Sequence, residues 1–344
     1  MSRLSGRLAA GEPYFIAEMS ANHGGSLERA LAIVDAAAAS GADCLKVQTY
    51  TADTLTLDCD NEWFRVKEGL WDGRTLYDLY SEGSFPWEWH EPVRDRCSEL
   101  GMDFLSTPFD ETAVDFLYGL GVGAFKIASF ELTDTPLIEY AASKGKTMIV
   151  STGMGSAEEI GEALEACRRA GNRDVVLLRC TSEYPAEFAD MALATIPDMA
   201  ERFGTPIGFS DHSMGHTADV AAAALGARVF EKHFCLTREE PTVDSAFSME
   251  PAEFLEMTRA VRDAVSAVGE TSYGAHGGEE ANRVFRRSVF ACADIAEGEE
   301  FTRENVRIVR PGYGLAPRHY GSIIGRPAKR QYHFGEPIGE GELC

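Results

Sequence analysis

Eight short apolar runs punctuate the first two thirds of this 344-residue chain, at 14–20, 44–50, 103–109, 124–129, 147–153, 174–181, 206–213 and 229–235. Most are flanked by glycine or polar turn residues, and they are apolar at successive rather than alternate positions, the pattern of strands buried on both faces. Helix-like stretches with apolar residues three and four apart lie between them, most clearly at 26–40, 86–100, 156–170 and 217–225. A last one, 251–268, opens with Pro251 at a favoured first-turn position and stops near Gly269. Eight strand-helix units over roughly 250 residues match the size of a closed barrel. An open doubly wound sheet needs a glycine-rich phosphate fingerprint after its first strand, and none is present. The expected fold class is therefore α/β, a (β/α)8 TIM barrel.

Two departures from a minimal barrel stand out. Residues 51–85, with Trp63, Trp71, Tyr77 and Tyr80, form a long insertion after the second strand, at the end where barrels bind substrate, and suit a lid or a partner-contact surface. Past the barrel at 1–269, the polar 270–285 segment reads as a linker. Short β-like segments at 287–292, 305–309 and 337–338 then predict a small all-β domain over 286–344, marginal by itself.

Composition limits the partners. Lys and Arg total 32 against 55 Asp and Glu, a formal charge of −23 that repels nucleic acid and anionic membranes. An anionic substrate would need a local cluster of cations. Eight scattered cysteines without a Cys-x-x-Cys pair predict reduced, mostly buried thiols in a cytoplasmic protein. The N-terminal segment lacks a sustained apolar region, so no signal peptide is expected, and no stretch approaches the roughly 18 to 20 apolar residues of a membrane span.

Side chains at the C-terminal ends of barrel strands converge on one mouth. Read in order they are Glu18, Lys46 with Gln48, Thr107, Lys126 with Ser129 and Glu131, Ser151, Tyr184, Ser210 with His212, and His233. Period-two alternation places Lys46 with Gln48, Ser210 with His212, and Glu231 with His233 on common faces. A lysine within an apolar strand is costly unless paired. Lys46 and Lys126 are either ion-paired to buried carboxylates or, with Thr107, Ser129, Ser151 and Ser210, form a cradle for phosphate and carboxylate groups. His212 and His233, one strand-helix-strand unit apart, are either core histidines or ligands of a loosely held divalent cation, Mn2+ or Mg2+, acting as a Lewis acid. Glu18 is a lysine partner or a group that positions a hydroxyl and moves a proton. His216 reads as a turn or cap residue, and His90, His276 and His319 as residues of solvated segments.

These residues fall within segments that resemble the sialic acid synthase family. They are Phe15-Ile-Ala-Glu-Met-Ser-Ala-Asn-His23, Leu45-Lys-Val-Gln-Thr49, Leu105-Ser-Thr-Pro-Phe109, Phe125-Lys-Ile-Ala-Ser129, Ser151-Thr-Gly153, Cys180-Thr-Ser-Glu-Tyr-Pro185, Gly208-Phe-Ser-Asp-His212 and Glu231-Lys-His-Phe234. Arg307-Ile-Val-Arg-Pro-Gly-Tyr-Gly314 is similar to the signature loop of that family's C-terminal antifreeze-like (SAF) domain. Asp58 to Phe64, Gly73 to Tyr80, Pro86 to His90 and Ser182 resemble the pseudaminic acid synthase branch. Two positions depart from the usual pattern: Gly24, where the family more often has Asn, and the stretch from Arg238 to Asp244, which is less glycine-rich.

The resemblance implies condensation of phosphoenolpyruvate with an open-chain N-acetylated sugar, a 2,4-diacetamido-2,4,6-trideoxy-hexose in that branch, with legionaminate and neuraminate substrates as competitors. It implies that Lys46, Thr107, Lys126, Ser129, Ser151 and Ser210 hold phosphoenolpyruvate, and that His212 and His233 hold the metal. Glu18, Gln48, Glu131, Ser182, Tyr184 and Asp244 would meet the sugar. Arg310 would reach a neighbouring barrel in a domain-swapped homodimer. A metal-dependent barrel hydrolase and a non-catalytic sugar-binding module are the rival expectations.

Overall fold

The computed structural model describes residues 2–69 and 71–343, so Cys344, expected with the other thiols, lies outside it. Eight parallel strands close into a barrel: β1 (Tyr14–Glu18), β2 (Cys44–Thr49), β3 (Asp103–Pro108), β4 (Ala124–Ile127), β5 (Thr147–Ser151), β6 (Val175–Cys180), β7 (Ile207–Asp211) and β8 (Val229–His233). The ring is completed by β8 pairing with β1, Glu18 level with His233. Each strand sits inside its expected run and stops a residue or two earlier, where the chain turns outward to the mouth.

The double burial has a simple origin. Outward positions such as Phe15, Val47, Phe125, Leu177, Phe209 and Phe230 pack under the surrounding helices. The alternate positions Ile16, Cys44, Leu105, Ile149, Val176 and Val229 form a second cluster inside the lumen. Both sets are apolar, so the strands read as continuous apolar runs. Further along the inward rows the apolar residues give way to Glu18, Lys46, Thr107, Lys126, Ser151, Glu231 and His233, and the lumen changes from packed floor to polar chamber.

Helices Leu27–Ala39, His90–Glu99, Ala157–Arg169 and Thr217–Ala224 correspond to the clearest sequence periodicities, and Pro251–Val268 matches its expected range. The helices Glu111–Leu120, Thr135–Ala142 and Thr195–Phe203 complete the ring. A further helix, Arg3–Ala9, was not expected, being too short to show a periodicity; Ser2 caps it, and Leu4 enters the lumen cluster with Tyr14. The 51–85 insertion carries two short helices, Ala52–Leu55 and Leu76–Gly83, and a bridge between Arg65 and Thr75.

The chain divides at Gly269 and Glu270 into two compact units. In the second, β9 (Ser288–Ala291) and β10 (Val306–Val309) pair antiparallel, Phe290 bridges Pro337, and Val289, Ile295, Phe301, Tyr332 and Ile338 share a core. The segment expected as a linker contains a helical turn, Glu279–Asn282, running into Arg283–Phe285. Among the described cysteines, all free, Cys44, Cys97, Cys167, Cys180 and Cys235 are buried. No helix among the described residues is long and apolar enough to cross a membrane.

His90 corrects the sequence expectation of a solvated residue. It is fully buried where its helix docks on the barrel, with Nε2 2.6 Å from Thr49 Oγ1 and Nδ1 3.1 Å from the Trp87 carbonyl. Burial pulls the imidazole down to about 4. The folded ring therefore stays neutral between its usual value near 6.5 and about 4, while an unfolded ring takes up a proton. The stabilising contribution of neutral His90 is complete above the unfolded value and is lost as pH falls towards 4, by about 3 kcal/mol. Urea titrations from pH 7 to pH 4 should show this loss, and His90→Gln should flatten it.

Candidate active site

Closure of the sheet carries four charges into the lumen. Lys46 Nζ lies 2.6 Å from Glu18 and 3.4 Å from Glu231, and Lys126 Nζ lies 3.8 Å from the other oxygen of Glu231. All four side chains are almost fully buried. Lys46 also donates to Thr107 Oγ1 at 3.3 Å, and Lys126 donates to Ser151 Oγ at 2.7 Å and to the Ile127 carbonyl at 3.0 Å. Gln48 links this cluster to the mouth by donating to Glu18 and to Ser20 Oγ, each at 2.9 Å.

The lysines are ion-paired to buried carboxylates, the first of the two sequence alternatives, and each also donates to a hydroxyl. Two ammonium groups face two carboxylates, Glu18 and Glu231, and of these Glu231 was absent from the expected site. Its signal was present as an acid in an apolar strand, two residues before His233. Burial, followed by the charge of Glu231, raises the Glu18 carboxyl. Burial works against ionised Glu231, yet Lys126 and Lys46 hold it low. Burial, aided by Lys46, lowers Lys126, whereas Glu18 and Glu231 outweigh burial to raise Lys46. Glu18 is accordingly the carboxyl of the cluster more disposed to hold a proton, and its protonation leaves a net positive charge.

Above the cluster the ring centroids of His212 and His233 are 5.4 Å apart, with Tyr184 4.4 Å from the first and Phe247 5.0 Å from the second. His212 Nδ1 donates to the Thr181 carbonyl at 2.9 Å; burial works against its protonation, but Cys180 and this carbonyl outweigh burial and raise its proton affinity, and whenever the ring is neutral its lone pair is on Nε2. Burial and the neighbouring His212 and Lys46 charges push His233 well below its usual range, and its buried Nδ1 has no hydrogen-bond partner. Cys180 Sγ lies 3.9 Å from His212 Nδ1. Burial pushes this thiol up, but His212, Ser129 and Lys126 together bring it down to about 7. Among the described residues, no three of His, Cys, Asp and Glu converge as a metal-binding cluster.

The loop bearing His212 is clamped from outside the lumen, an arrangement the sequence analysis missed. Lys232 alternates outward between Glu231 and His233, pairs with Asp211, and donates to the carbonyls of Ser213 at 2.7 Å and Gly215 at 2.8 Å. His216 occupies the N-cap position of helix Thr217–Ala224 without a side-chain capping bond, away from the ligand role.

The remaining expected residues gather around a cavity of ≈ 380 Å3 at the mouth, whose lining includes Gln48, Glu131, Ser182, Tyr184, His233 and Asp244. Asp244 accepts from Ser20 Oγ at 2.5 Å and from the Ala21 amide at 3.3 Å, so the altered approach from Arg238 still delivers it to the wall. Gly24 has φ 55°, a left-handed position that Gly and Asn both accept, which reconciles its departure from the family pattern. Ser210 is buried level with Glu231. Arg310 belongs to the second unit and is exposed there.

A family model described as the NeuB family matches residues 33–273, and one described as the SAF domain matches 286–343. A pseudaminic acid synthase of Campylobacter jejuni is 44% identical over 330 residues, 96% of each chain. One from Helicobacter pylori is 38% identical, covering 96% of this chain and 98% of that one. The crystal structure of the N-acetylneuraminic acid synthetase of Leptospira borgpetersenii in complex with citrate superposes with a TM-score of 0.71 at 29% identity, over 79% of this chain and 90% of that one. The chain belongs to the NeuB family. It is an enzyme of the pseudaminic acid synthase type, a phosphoenolpyruvate-condensing synthase of nonulosonic acids.

Gly153 tests how tightly the hydroxyl groups are set. Its amide donates to Ser129 Oγ at 3.1 Å, and a Cβ there would fall 2.2 Å from Ser182 Oγ and 2.7 Å from Ser129 Oγ. Gly153→Ala must move one or both serines, and displacements of that size cost about 10- to 100-fold in kcat/KM. Steady-state kinetics beside thermal melts should show the kinetic loss with only a modest melting shift.

Proposed function

We propose that this enzyme condenses phosphoenolpyruvate with open-chain 2,4-diacetamido-2,4,6-trideoxy-L-altrose to give pseudaminic acid, with C–O cleavage and release of phosphate. The observation that carries this reading is the juxtaposition of Lys46 and Lys126, with their hydroxyl partners, below a cavity lined by His233, whose ring lies 5.4 Å from that of His212. The identity with pseudaminic acid synthases over nearly whole chains supports the choice of acceptor.

Lys46, Lys126, Thr107, Ser129, Ser151 and Ser210 bind the phosphate and carboxylate of phosphoenolpyruvate, whose oxygens take over lysine contacts now made by Glu18 and Glu231. The C3 carbon attacks the aldehyde, water adds at C2, and the tetrahedral intermediate expels phosphate to leave the 2-keto acid. Glu18 holds the proton required by the new hydroxyl, and Gln48 aligns the sugar above it. His212 and His233 fit a loosely held divalent cation, Mn2+ or Mg2+, because one has a free Nε2 lone pair and the other an unpartnered buried nitrogen. Such a cation, when bound, supplies Lewis-acid polarisation of the aldehyde. Glu131, Ser182, Tyr184 and Asp244 contact the sugar's hydroxyl and amide groups. Arg310 completes the acyl site of a neighbouring subunit in a cytoplasmic, domain-swapped homodimer.

Incubation with both substrates and Mn2+ should release phosphate only when both are present and yield a product with the mass of the condensed nine-carbon acid. His212→Ala and His233→Ala should each abolish condensation while leaving phosphoenolpyruvate affinity within about threefold; full turnover of either in excess chelator would refute the Lewis-acid role. Arg310→Ala should raise the sugar's KM about tenfold in a dimer of unchanged mass, the loss of one charge-assisted hydrogen bond. An unchanged KM would remove Arg310 from the site.

A further inference from the structure

The wall of the mouth cavity is divided between the barrel and the 51–85 insertion. The insertion supplies Leu55, Val66, Trp71, Leu76, Leu79 and Tyr80, and the barrel loops answer with Tyr50, Phe109, Phe130, Val243 and Phe247. Leu76, Leu79 and Tyr80 share one face of helix Leu76–Gly83 by their spacing. Trp71 extends the insertion across the mouth to Tyr184, ring centroids 6.2 Å apart, and Tyr80 meets Tyr50 at 6.0 Å. Among the described residues lining this cavity there is no lysine or arginine; its charged side chains are the carboxyls of Glu131 and Asp244.

We propose that the 51–85 insertion is the acceptor-specificity element of this enzyme, its apolar face reading a methyl group on the sugar and rejecting a hydroxymethyl or phosphorylated group in the same place. The inference rests on the function proposed above and adds the residues that discriminate. A hydroxyl brought against Leu55, Trp71 and Leu76 loses water without gaining a partner, a penalty that in apolar pockets amounts to about 10- to 100-fold. A phosphate dianion fares worse, since the apolar wall and its two carboxyls offer it no lysine or arginine of this chain among the described residues. Burial raises both carboxyls, Glu131 to about 7, and in either protonation state they offer no positive charge to attract an anion.

The test compares three acceptors with phosphoenolpyruvate and Mn2+: 2,4-diacetamido-2,4,6-trideoxy-L-altrose, its 6-hydroxy counterpart and the 6-phosphate of that counterpart. The native enzyme should prefer the deoxy sugar by about 10- to 100-fold in kcat/KM over the hydroxy sugar and by more than about 1000-fold over the phosphate. Trp71→Ala and Leu55→Ser, both half-buried positions, should each shrink the deoxy-to-hydroxy ratio about tenfold while the KM for phosphoenolpyruvate stays within about twofold, which also reports that the variants fold. Turnover of the deoxy sugar with an unaltered ratio in both variants, or a 6-phosphate used within about tenfold of the deoxy sugar, would overturn the inference while leaving the proposed function intact. No turnover of any acceptor by the native enzyme would overturn the proposed function, and this inference with it.

Discussion

Two ammonium groups and two carboxylates enclosed by a ring of strands can coexist only by neutralising one another, and the upper lumen is arranged around that requirement. Isolated burial of any one of the four would cost several kcal/mol, more than most single contacts return. Glu231 sits between Lys46 and Lys126, and Glu18 leans on Lys46. On the function proposed above, the arrangement is poised rather than locked, because an anionic ligand would replace a carboxylate as the lysines' partner. Raising the proton affinity of Glu18 eases that exchange, since the cluster can shed a negative charge without moving an atom out of the barrel.

The same strands support this cluster and hold the histidines above it. On β8, Glu231 and His233 face the lumen while Lys232, between them, faces the helices and secures the loop that follows β7. One strand thus contributes to the charge cluster, to the imidazole pair and to the clamp that keeps the second imidazole in place. The hydrogen bond from His212 to the Thr181 carbonyl adds a restraint from β6, so the pair is held by three adjacent strands.

The barrel was legible because doubly buried strands leave continuous apolar runs, and a polar residue near the end of such a run stands out. Lys46, Lys126, His212 and His233 were found for that reason. Glu231 was noticed as a neighbour of His233 yet not assigned, because nothing in a linear pattern says which acid answers which lysine across the lumen. Lys232 was passed over because an outward-facing charge next to two inward ones looks like solvated surface until the helix Thr217–Ala224 covers it. His90 misled for the same reason: its segment is rich in charge, with Glu88, Glu91, Arg94 and Asp95, and only the docked helix reveals that its other face is buried. Helix Arg3–Ala9 has too few residues to betray its role as a stopper.

That stopper has a consequence for traffic. Leu4 is wedged among Tyr14, Ile16 and Val229, so the floor of the lumen is packed with apolar side chains. On the function proposed above, a ligand held beside the lysines would enter through the aromatic mouth, ahead of the one that fills it.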